Sequence, residues 1–192
     1  MLKLKEGNRM KKLIFLPIFS IFFFAIPNVH ADCNIGPVAK KDLNILYRSF
    51  RVDLPKPKLK IDYGKLKAID EAAAQPYGMD ASKKKFYLGA YTQKNKIVVY
   101  NKIFKLHKTC DEQVKSKLRG MLAHEYAHYL DSFSTLSSML GTSNDEQTAI
   151  IGEHAFAGLV WPNKKTIFTR ALTSSEQINM TKLKNFFQKY KR

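Results

Sequence analysis

The chain has 192 residues, which is enough for one domain with a real hydrophobic core and too few for two. Its two cysteines allow at most one intramolecular disulfide. The net charge of +17 favours acidic partners, such as anionic lipid, an acidic wall polymer, an acidic protein or nucleic acid, without choosing among them. Because the lysines are scattered along the chain, a solvated basic surface is the simpler interpretation.

Residues 1–31 have the pattern of a secretory signal peptide. Lys11 and Lys12 precede an apolar run over 13–26, and Val29-His30-Ala31 places small residues where a signal peptidase needs them. The run is shorter than the about 20 apolar residues of a transmembrane helix, although an uncleaved N-terminal anchor is the alternative. We therefore predict a signal peptide at 1–31, with Met10 as an alternative start, and one mature domain over 32–192 in the periplasm or outside the cell.

The mature domain keeps both cysteines and most of the charge. Residues 1–31 contain five basic side chains and one acidic one, so the net charge of the mature domain is +13. Export would place Cys33 and Cys110 in an oxidising compartment, where an even number of cysteines indicates a disulfide. We predict that this bond fixes the mature N-terminus beside the helix that follows Cys110. No transmembrane segment is predicted in the mature chain.

The first half of the mature domain mixes helices and strands. Helical spacing of apolar residues predicts a first helix, and the prolines at 55 and 57 require extended or turned backbone. Aromatic and β-branched residues on either side of Gln93-Lys94-Asn95 predict a hairpin. The predicted elements are a helix over 36–50, a short strand from Leu59 and Ile61, a helix over 64–75, and hairpin strands over 86–92 and 96–100.

The second half is predicted to be helical. A helix over 111–130 begins at Asp111, a suitable N-cap, and is followed by a Ser-, Thr- and Gly-rich loop over 131–143. A second helix covers 144–160. The basic amphipathic helix over 174–190 is expected to pack on the body through Ile178, Met180, Leu183, Phe186 and Phe187, a membrane-surface role being the alternative. These elements indicate an α+β domain.

The segment His124-Glu125-Tyr126-Ala127-His128 carries the chemistry. Residues four apart lie on one face of a helix, so His124 and His128 can direct their imidazoles to one metal ion. Glu125 adjoins the first ligand, where its carboxylate can hold the water bound to that metal and take its proton. Two surface histidines on an ordinary helix are the alternative, but the apolar turns before the motif and the preceding hairpin argue against it.

The motif resembles that of the zincin metalloproteases. The longer string HEYAHYLD is similar to the HEFAH-x-LD of the Mlc titration factor family and the HEFGH-x-VD of anthrax lethal factor, which are gluzincins. The resemblance implies Zn²⁺ as cofactor and a zincin-like single domain. It would contain a small antiparallel edge hairpin, an active-site helix and a following helix that supplies a glutamate ligand. The metzincin pattern is absent, since position 134 is Ser and position 131 is Asp.

Two glutamates can be the third ligand. Glu146 follows Asn144-Asp145 and has the small Ala149 three places on, which resembles the glutamate region of thermolysin and lethal factor. We favour Glu146 as the metal ligand and keep Glu153, seven places later, as the alternative. The carboxylate that usually lies four places after the ligand is missing for both, and Asp131 could support the histidines instead.

Other polar and aromatic candidates have simpler roles. His154 could bind the oxyanion formed on the scissile carbonyl, but we interpret it as a surface residue. Trp161 is expected to fill the core.

We predict zinc-dependent hydrolysis of peptide or protein substrates with Glu125 as general base. The first alternative is a catalytically silent, zinc-stabilised binding protein of the cell envelope, against which the intact Glu125 argues. A second alternative is a basic envelope or nucleic-acid-binding protein with an accidental motif. An anionic envelope partner fits the basic surface, whereas nucleic acid is disfavoured.

Overall fold

The computed structural model describes residues 33–50, 53–65, 68–69, 86–87, 89–104, 107, 109–133, 136–142 and 144–191. Five α-helices lie in these ranges: α1 (Ile35–Ser49), α2 (Glu112–Asp131), α3 (Leu136–Leu140), α4 (Asp145–Val160) and α5 (Ser174–Gln188). The strands are β1 (Lys58–Asp62), β2 (Ala68–Ile69), β3 (Phe86–Tyr87), β4 (Ala90–Gln93) and β5 (Lys96–Tyr100), and a 3₁₀ turn covers Asn101–Phe104. The predicted α+β class is therefore confirmed, whereas the predicted signal peptide lies outside the described residues.

The main sheet has three strands in the order β1-β5-β4. β4 and β5 form the predicted antiparallel hairpin, whose turn contains Lys94 in the left-handed region at φ 52°. β1 pairs in parallel with β5, so the sheet is mixed, and β4 is one of its two edge strands in the described part of the chain.

Two predicted elements differ from the structure, the helix over 64–75 and the single strand over 86–92. β3 does not continue into β4 but pairs with β2 in a separate two-stranded sheet, so the predicted strand over 86–92 is two strands. Residues 68–69, predicted to be helical, form β2, whereas 66–67 and 70–75 lie outside the described residues. Pairing with a distant strand overrides the local composition of such a short segment.

The helix α2 runs through the centre of the domain. Its first turn is capped by Asp111, whose carboxylate accepts from the backbone N–H of Val114 at 2.9 Å, as the sequence predicts. The sheet and α4 both pack on α2, and its buried side chains therefore extend around most of its circumference. A Cβ at Gly152 of α4 would overlap the Cβ of Ala127 of α2, so glycine allows the two helices to approach closely.

The segment after α4 returns the chain to the core. Trp161 is 4% exposed and fills the core as predicted. The helix α5 buries Leu183 and Phe187 against α4, but Ile178 is 61% exposed and Phe186 is 40% exposed. The predicted packing of the last helix is therefore correct for its inner face and wrong for these two residues.

The short α3 interrupts the predicted loop over 131–143.

The predicted disulfide is present. Cys33 and Cys110 are bonded with their Cα atoms 4.9 Å apart, and the backbone N–H of Cys33 donates to the carbonyl of His107 at 3.2 Å. The start of the described chain is thus attached just before α2. No described helix is long and apolar enough to cross a membrane.

A buried ion pair holds the start of α5. Glu176 accepts from both Nη atoms of Arg170 at 2.7 and 2.8 Å, and its side chain also accepts from the Thr173 backbone and from Gln147 of α4. The hydrogen bonds from Arg170 lower the pKa of Glu176 to about 2, although burial opposes this shift. The carboxylate thus joins the start of α5 to α4.

We expect Glu176→Gln to lower the free energy of unfolding at pH 7 by about 1.5–3 kcal/mol, because hydrogen bonds to a charged group are lost. A depressed pKa contributes stability above the unfolded-state value and loses it as pH falls towards the folded-state value of about 2. The difference from the wild type should therefore shrink between about pH 5 and pH 2 in denaturant titrations. Lys182→Gln, an exposed change in the same helix, should show no such pH-dependent loss.

Candidate active site

The two histidines of the motif lie one turn apart on α2, and their rings meet edge to face at an interplanar angle of 75°. The ring centroids of His124 and His128 are 5.0 Å apart. The side chain of His124 is 4% exposed, whereas that of His128 is 20% exposed. One end of the pair is therefore closed by the protein, and the other opens towards solvent.

Glu146, in the first turn of α4, completes a cluster with both histidines. Its Oε2 lies 3.3 Å from Nε2 of His124, and its Oε1 lies 3.4 Å from Nε2 of His128. Asn144 caps α4 by accepting from the backbone N–H of Glu146 at 2.8 Å, which fixes where this turn begins. Each of the three residues offers one ligand atom, and these atoms all lie within 4.8 Å of one another.

These separations fit a zinc ion. Two ligand atoms that are each about 2.0–2.1 Å from a tetrahedral zinc ion are about 3.3–3.4 Å apart. The Glu146 carboxylate lies at this separation from each histidine through a different oxygen, with Oε2 3.3 Å from Nε2 of His124 and Oε1 3.4 Å from Nε2 of His128. Two imidazoles and a carboxylate are also a donor set that zinc takes in catalytic sites.

Glu153 also lies against His124, but on the other ring nitrogen. Its Oε2 is 3.5 Å from Nδ1 of His124, and its Oε1 accepts from the backbone N–H of Thr169 at 2.9 Å. Its side chain is 1% exposed. The two glutamates that the sequence offers as third ligands thus occupy opposite sides of His124.

Asp131, which the sequence suggests as support for the histidines, has a different contact. Its Oδ1 accepts from the backbone N–H of Ser137 at 2.8 Å and so anchors the turn before α3. The carboxylate beside the histidine Nδ1 is that of Glu153 instead.

The site concentrates negative charge around His124. Burial lowers the pKa of this imidazole, but hydrogen bonds to Glu146 and Glu153 and the charge of Glu125 outweigh it and raise the pKa to about 10. The arrangement that stabilises a proton on His124 also stabilises a bound cation at the same place.

Glu125 is buried beside the edge strand β4. It is 5% exposed, and burial raises the pKa of its carboxyl, whereas the charges of His124 and His128 and a hydrogen bond from Thr92 lower it. The hydroxyl of Thr92 lies 2.9 Å from Oε2 of Glu125 and 2.8 Å from its backbone carbonyl oxygen. No local pattern in the sequence distinguishes Thr92, since a threonine in a strand is ordinary.

Residues 165–170, which we name the strap, cross over α2 beside Ser116, Arg119 and Gly120. Nη1 of Arg119 donates to the carbonyl of Lys165 at 2.9 Å, and the backbone N–H of Ile167 donates to the carbonyl of Ser116 at 3.0 Å. A Cβ at Gly120 would overlap the carbonyl oxygen of Ile167. Glycine is therefore required one turn before His124, and a glycine inside a helix is the signal by which the sequence could have indicated this approach.

The strap also contacts α4. Thr169 binds Glu153, and Nε2 of His154 lies 2.8 Å from the carbonyl oxygen of Arg170. The ring of His154 stacks on Phe168 with centroids 3.9 Å apart. His154 is therefore half-buried against the strap, which corrects its interpretation as a surface residue and gives it a structural contact.

Comparison with known families agrees with the chemistry of this cluster. Residues 65–153 match the model of peptidase family M48, a segment that contains the HEYAH motif and both candidate glutamates. No curated protein and no solved structure matches the chain. On this match and the grouping of His124, His128 and Glu146, we assign the chain as a zinc-dependent metallopeptidase that acts on peptide or protein substrates.

We expect Gly120→Ala to destabilise the protein by about 1–3 kcal/mol, because the strap must move away from the added methyl group. Since the strap holds Glu153 beside His124, zinc affinity measured by competition with a chelator should fall as well. Gly158→Ala is the matched control, because its Cβ would meet only the tip of the flexible Lys184 side chain. Equal stability and zinc affinity in the two variants would contradict the role given to the strap.

Proposed function

We propose that this chain is a gluzincin-type, zincin-like peptidase in which His124, His128 and Glu146 bind Zn²⁺ and Glu125 is the general base. The observation that carries the proposal is the position of the Glu146 carboxylate, 3.3 Å from Nε2 of one histidine and 3.4 Å from Nε2 of the other. The resemblance of HEYAHYLD to the Mlc titration factor family and lethal factor agrees with this ligand set.

The proposed reaction divides the work between the ion and the side chains. Zinc, when bound, polarises the scissile carbonyl and lowers the pKa of a coordinated water towards 7. Glu125 takes the proton of the attacking water and passes it to the leaving amine. Burial of Glu125 favours this shuttle, because a raised pKa makes its carboxylate a stronger base.

Glu153 supports His124 in this proposal instead of binding the ion. With Nε2 of His124 directed to the metal, the Nδ1–H faces the Glu153 carboxylate, which fixes the tautomer and the orientation of the ring. The backbone N–H of Thr169 holds the other oxygen of Glu153 in place. Glu153, seven places after Glu146, thus has the role of the supporting carboxylate that usually lies four places after the ligand and is missing there in this chain.

The edge strand β4 is the proposed binding surface for the substrate. β4 lies at the edge of the sheet in the described part of the chain and contacts α2 beside the motif. An extended peptide can add to such an edge through main-chain hydrogen bonds. His128 and Glu146 are partly exposed, so this part of the site is accessible from solvent.

The proposed location is the periplasm or the exterior of the cell. The signal-peptide pattern at 1–31 and the Cys33–Cys110 disulfide support it, because disulfides persist in oxidising compartments.

An anionic envelope component is the proposed partner of the basic surface. Residues 177–192 contain five basic and no acidic side chains and so contribute to this charge.

Three variants test the ligands and the base. Glu125→Gln should lower peptidase turnover by about 10²- to 10⁴-fold with zinc still bound, because the general base is lost. Glu153→Gln keeps the acceptor for Thr169 but places an amide against Nδ1 of His124, so zinc affinity should fall about 10- to 100-fold. Glu146→Ala removes a ligand and should weaken zinc by more than Glu153→Gln does. Zinc content and competition with a chelator measure these effects.

The outcomes separate the parts of the proposal. If Glu153→Gln releases the metal while Glu146→Ala keeps it, Glu153 is the third ligand. Unchanged turnover in Glu125→Gln would refute the general-base mechanism. A zinc-loaded wild-type protein without peptidase activity on any unfolded protein substrate would support the silent binding protein instead.

We expect the exported protein to begin at Asp32 and to contain the disulfide. N-terminal sequencing locates the cleavage site, and non-reducing mass spectrometry should give a mass two hydrogens below that of the reduced form. A mature protein that retains residues 1–31 would be an anchored protein, and two freely alkylated thiols would exclude a disulfide in the native protein.

A further inference from the structure

A hydrogen bond joins Thr92 of the edge strand β4 to Glu125, the proposed base, and the proposed mechanism does not use it. The hydroxyl of Thr92 lies between two oxygens of the same residue, 2.9 Å from the carboxylate Oε2 of Glu125 and 2.8 Å from the Glu125 carbonyl oxygen. Thr92 and Glu125 are 33 residues apart in sequence, so the contact exists only because β4 packs on α2.

The register of the hairpin decides which β4 side chains face the helix. Thr92 pairs with Ile97 of β5, and alternate residues of a strand point to the same face. Ala90, two residues earlier, is 7% exposed, so this face is the buried one. A side chain at position 91 or 93 would point to the opposite face, and Thr92 is therefore the β4 residue that can reach Glu125.

The carboxylate is the stronger of the two acceptors. A hydroxyl donates one hydrogen, and a hydrogen bond to an ionised group is roughly twice as strong as one between neutral groups. The Glu125 carbonyl lies inside α2, where the regular helix ladder supplies it with a donor four residues later. Donation to Oε2 therefore satisfies Glu125 where the helix cannot.

We propose that Thr92 is a positioning residue that fixes the carboxylate of Glu125 for proton transfer. The inference rests on the proposed role of Glu125 as general base. A glutamate side chain has three rotatable bonds, and ordering it costs about 1.5–2 kcal/mol. The hydroxyl orders this side chain before the substrate arrives and leaves Oε1 free of this contact. The same strand that is proposed to hold the substrate thus sets the position of the base relative to it.

The alternative is that Thr92 only attaches β4 to α2. In that case its hydroxyl donates to the backbone carbonyl of Glu125, and the nearby carboxylate is incidental. The two possibilities differ in whether the effect of the hydroxyl depends on the Glu125 side chain.

Thr92→Val keeps the β-branched shape and removes the hydroxyl, and Thr92→Ser keeps the hydroxyl. We expect Thr92→Val to lower kcat about 10- to 100-fold with KM and zinc content near those of the wild type, since a small displacement of a catalytic group can cost about 100-fold. Thr92→Ser should recover kcat to within about 3-fold, because the donor is retained. In a Glu125→Gln background, Thr92→Val should lower kcat no further.

A second measurement does not depend on activity. In the zinc-free protein, Thr92→Val should lower Tm by about 2–4 °C, the shift expected for one hydrogen bond in a domain of this size. The same change in a Glu125→Ala background should lower Tm by less, because the carboxylate acceptor has gone and only the backbone carbonyl, which the helix already supplies with a donor, remains. An equal decrease in both backgrounds, or wild-type kcat in Thr92→Val, assigns the hydroxyl to the backbone carbonyl and overturns the proposal.

The proposal and the function on which it rests fail differently. If Glu125→Gln is inactive and Thr92→Val is fully active, only the positioning role is wrong. If Glu125→Gln is fully active, the base is wrong and the Tm comparison alone judges the contact. Thr92→Ala takes the place of Thr92→Val in both measurements if the valine variant does not fold.

Discussion

The close approach of α2 and α4 determines the rest of the site. At the crossing, Gly152 lies so near Ala127 that no larger side chain fits between them without a shift of the helices. This short separation allows carboxylates from α4 to reach imidazoles on α2. Glu146 and Glu153 are seven residues apart, or about two helical turns, and therefore lie on the same face of α4. One face of one helix thus supplies a contact to each nitrogen of His124.

Charge at the site has a cost that the surrounding fold must offset. Glu125 and Glu153 are buried, and Glu146 lies between the two histidines. Burying carboxylates is unfavourable unless they are paired or hydrogen-bonded. Thr92 and the backbone of Thr169 supply hydrogen bonds, and His124 lies against the carboxylates of Glu146 and Glu153. A divalent cation offsets the remaining repulsion, so zinc binding and stability of the folded state should be linked.

Elements outside the motif hold this arrangement at three places. The strap crosses α2 at Gly120 and reaches Glu153 through Thr169, so it supports His124 from behind. The ion pair between Arg170 and Glu176 joins the last residue of the strap to the first turn of α5, and α5 packs on α4. The Cys33–Cys110 disulfide joins the start of the described chain to the residue just before α2. None of these three elements covers His128 and Glu146, which stay partly exposed.

Local patterns let the sequence determine the parts of the protein that depend on neighbouring residues. The i, i+4 spacing placed His124 and His128 on one helical face, Asp111 marked the start of α2, and the turn residues marked the β4–β5 hairpin. The pairing of two cysteines also followed, because no other partner exists. The helix predicted at 68–69 was wrong for the converse reason, since these residues form a strand by pairing with residues 86–87.

Only the tertiary structure distinguished the positions of the two glutamates relative to the histidines. Their spacing puts both on the same face of α4, and the sequence contains no information on how far α4 is shifted along α2. That shift sets Glu146 between the ε nitrogens and Glu153 at the δ nitrogen of His124. The contacts of Thr92 and Thr169 likewise depend on how a strand and a loop pack against the helices, and no local spacing encodes such packing.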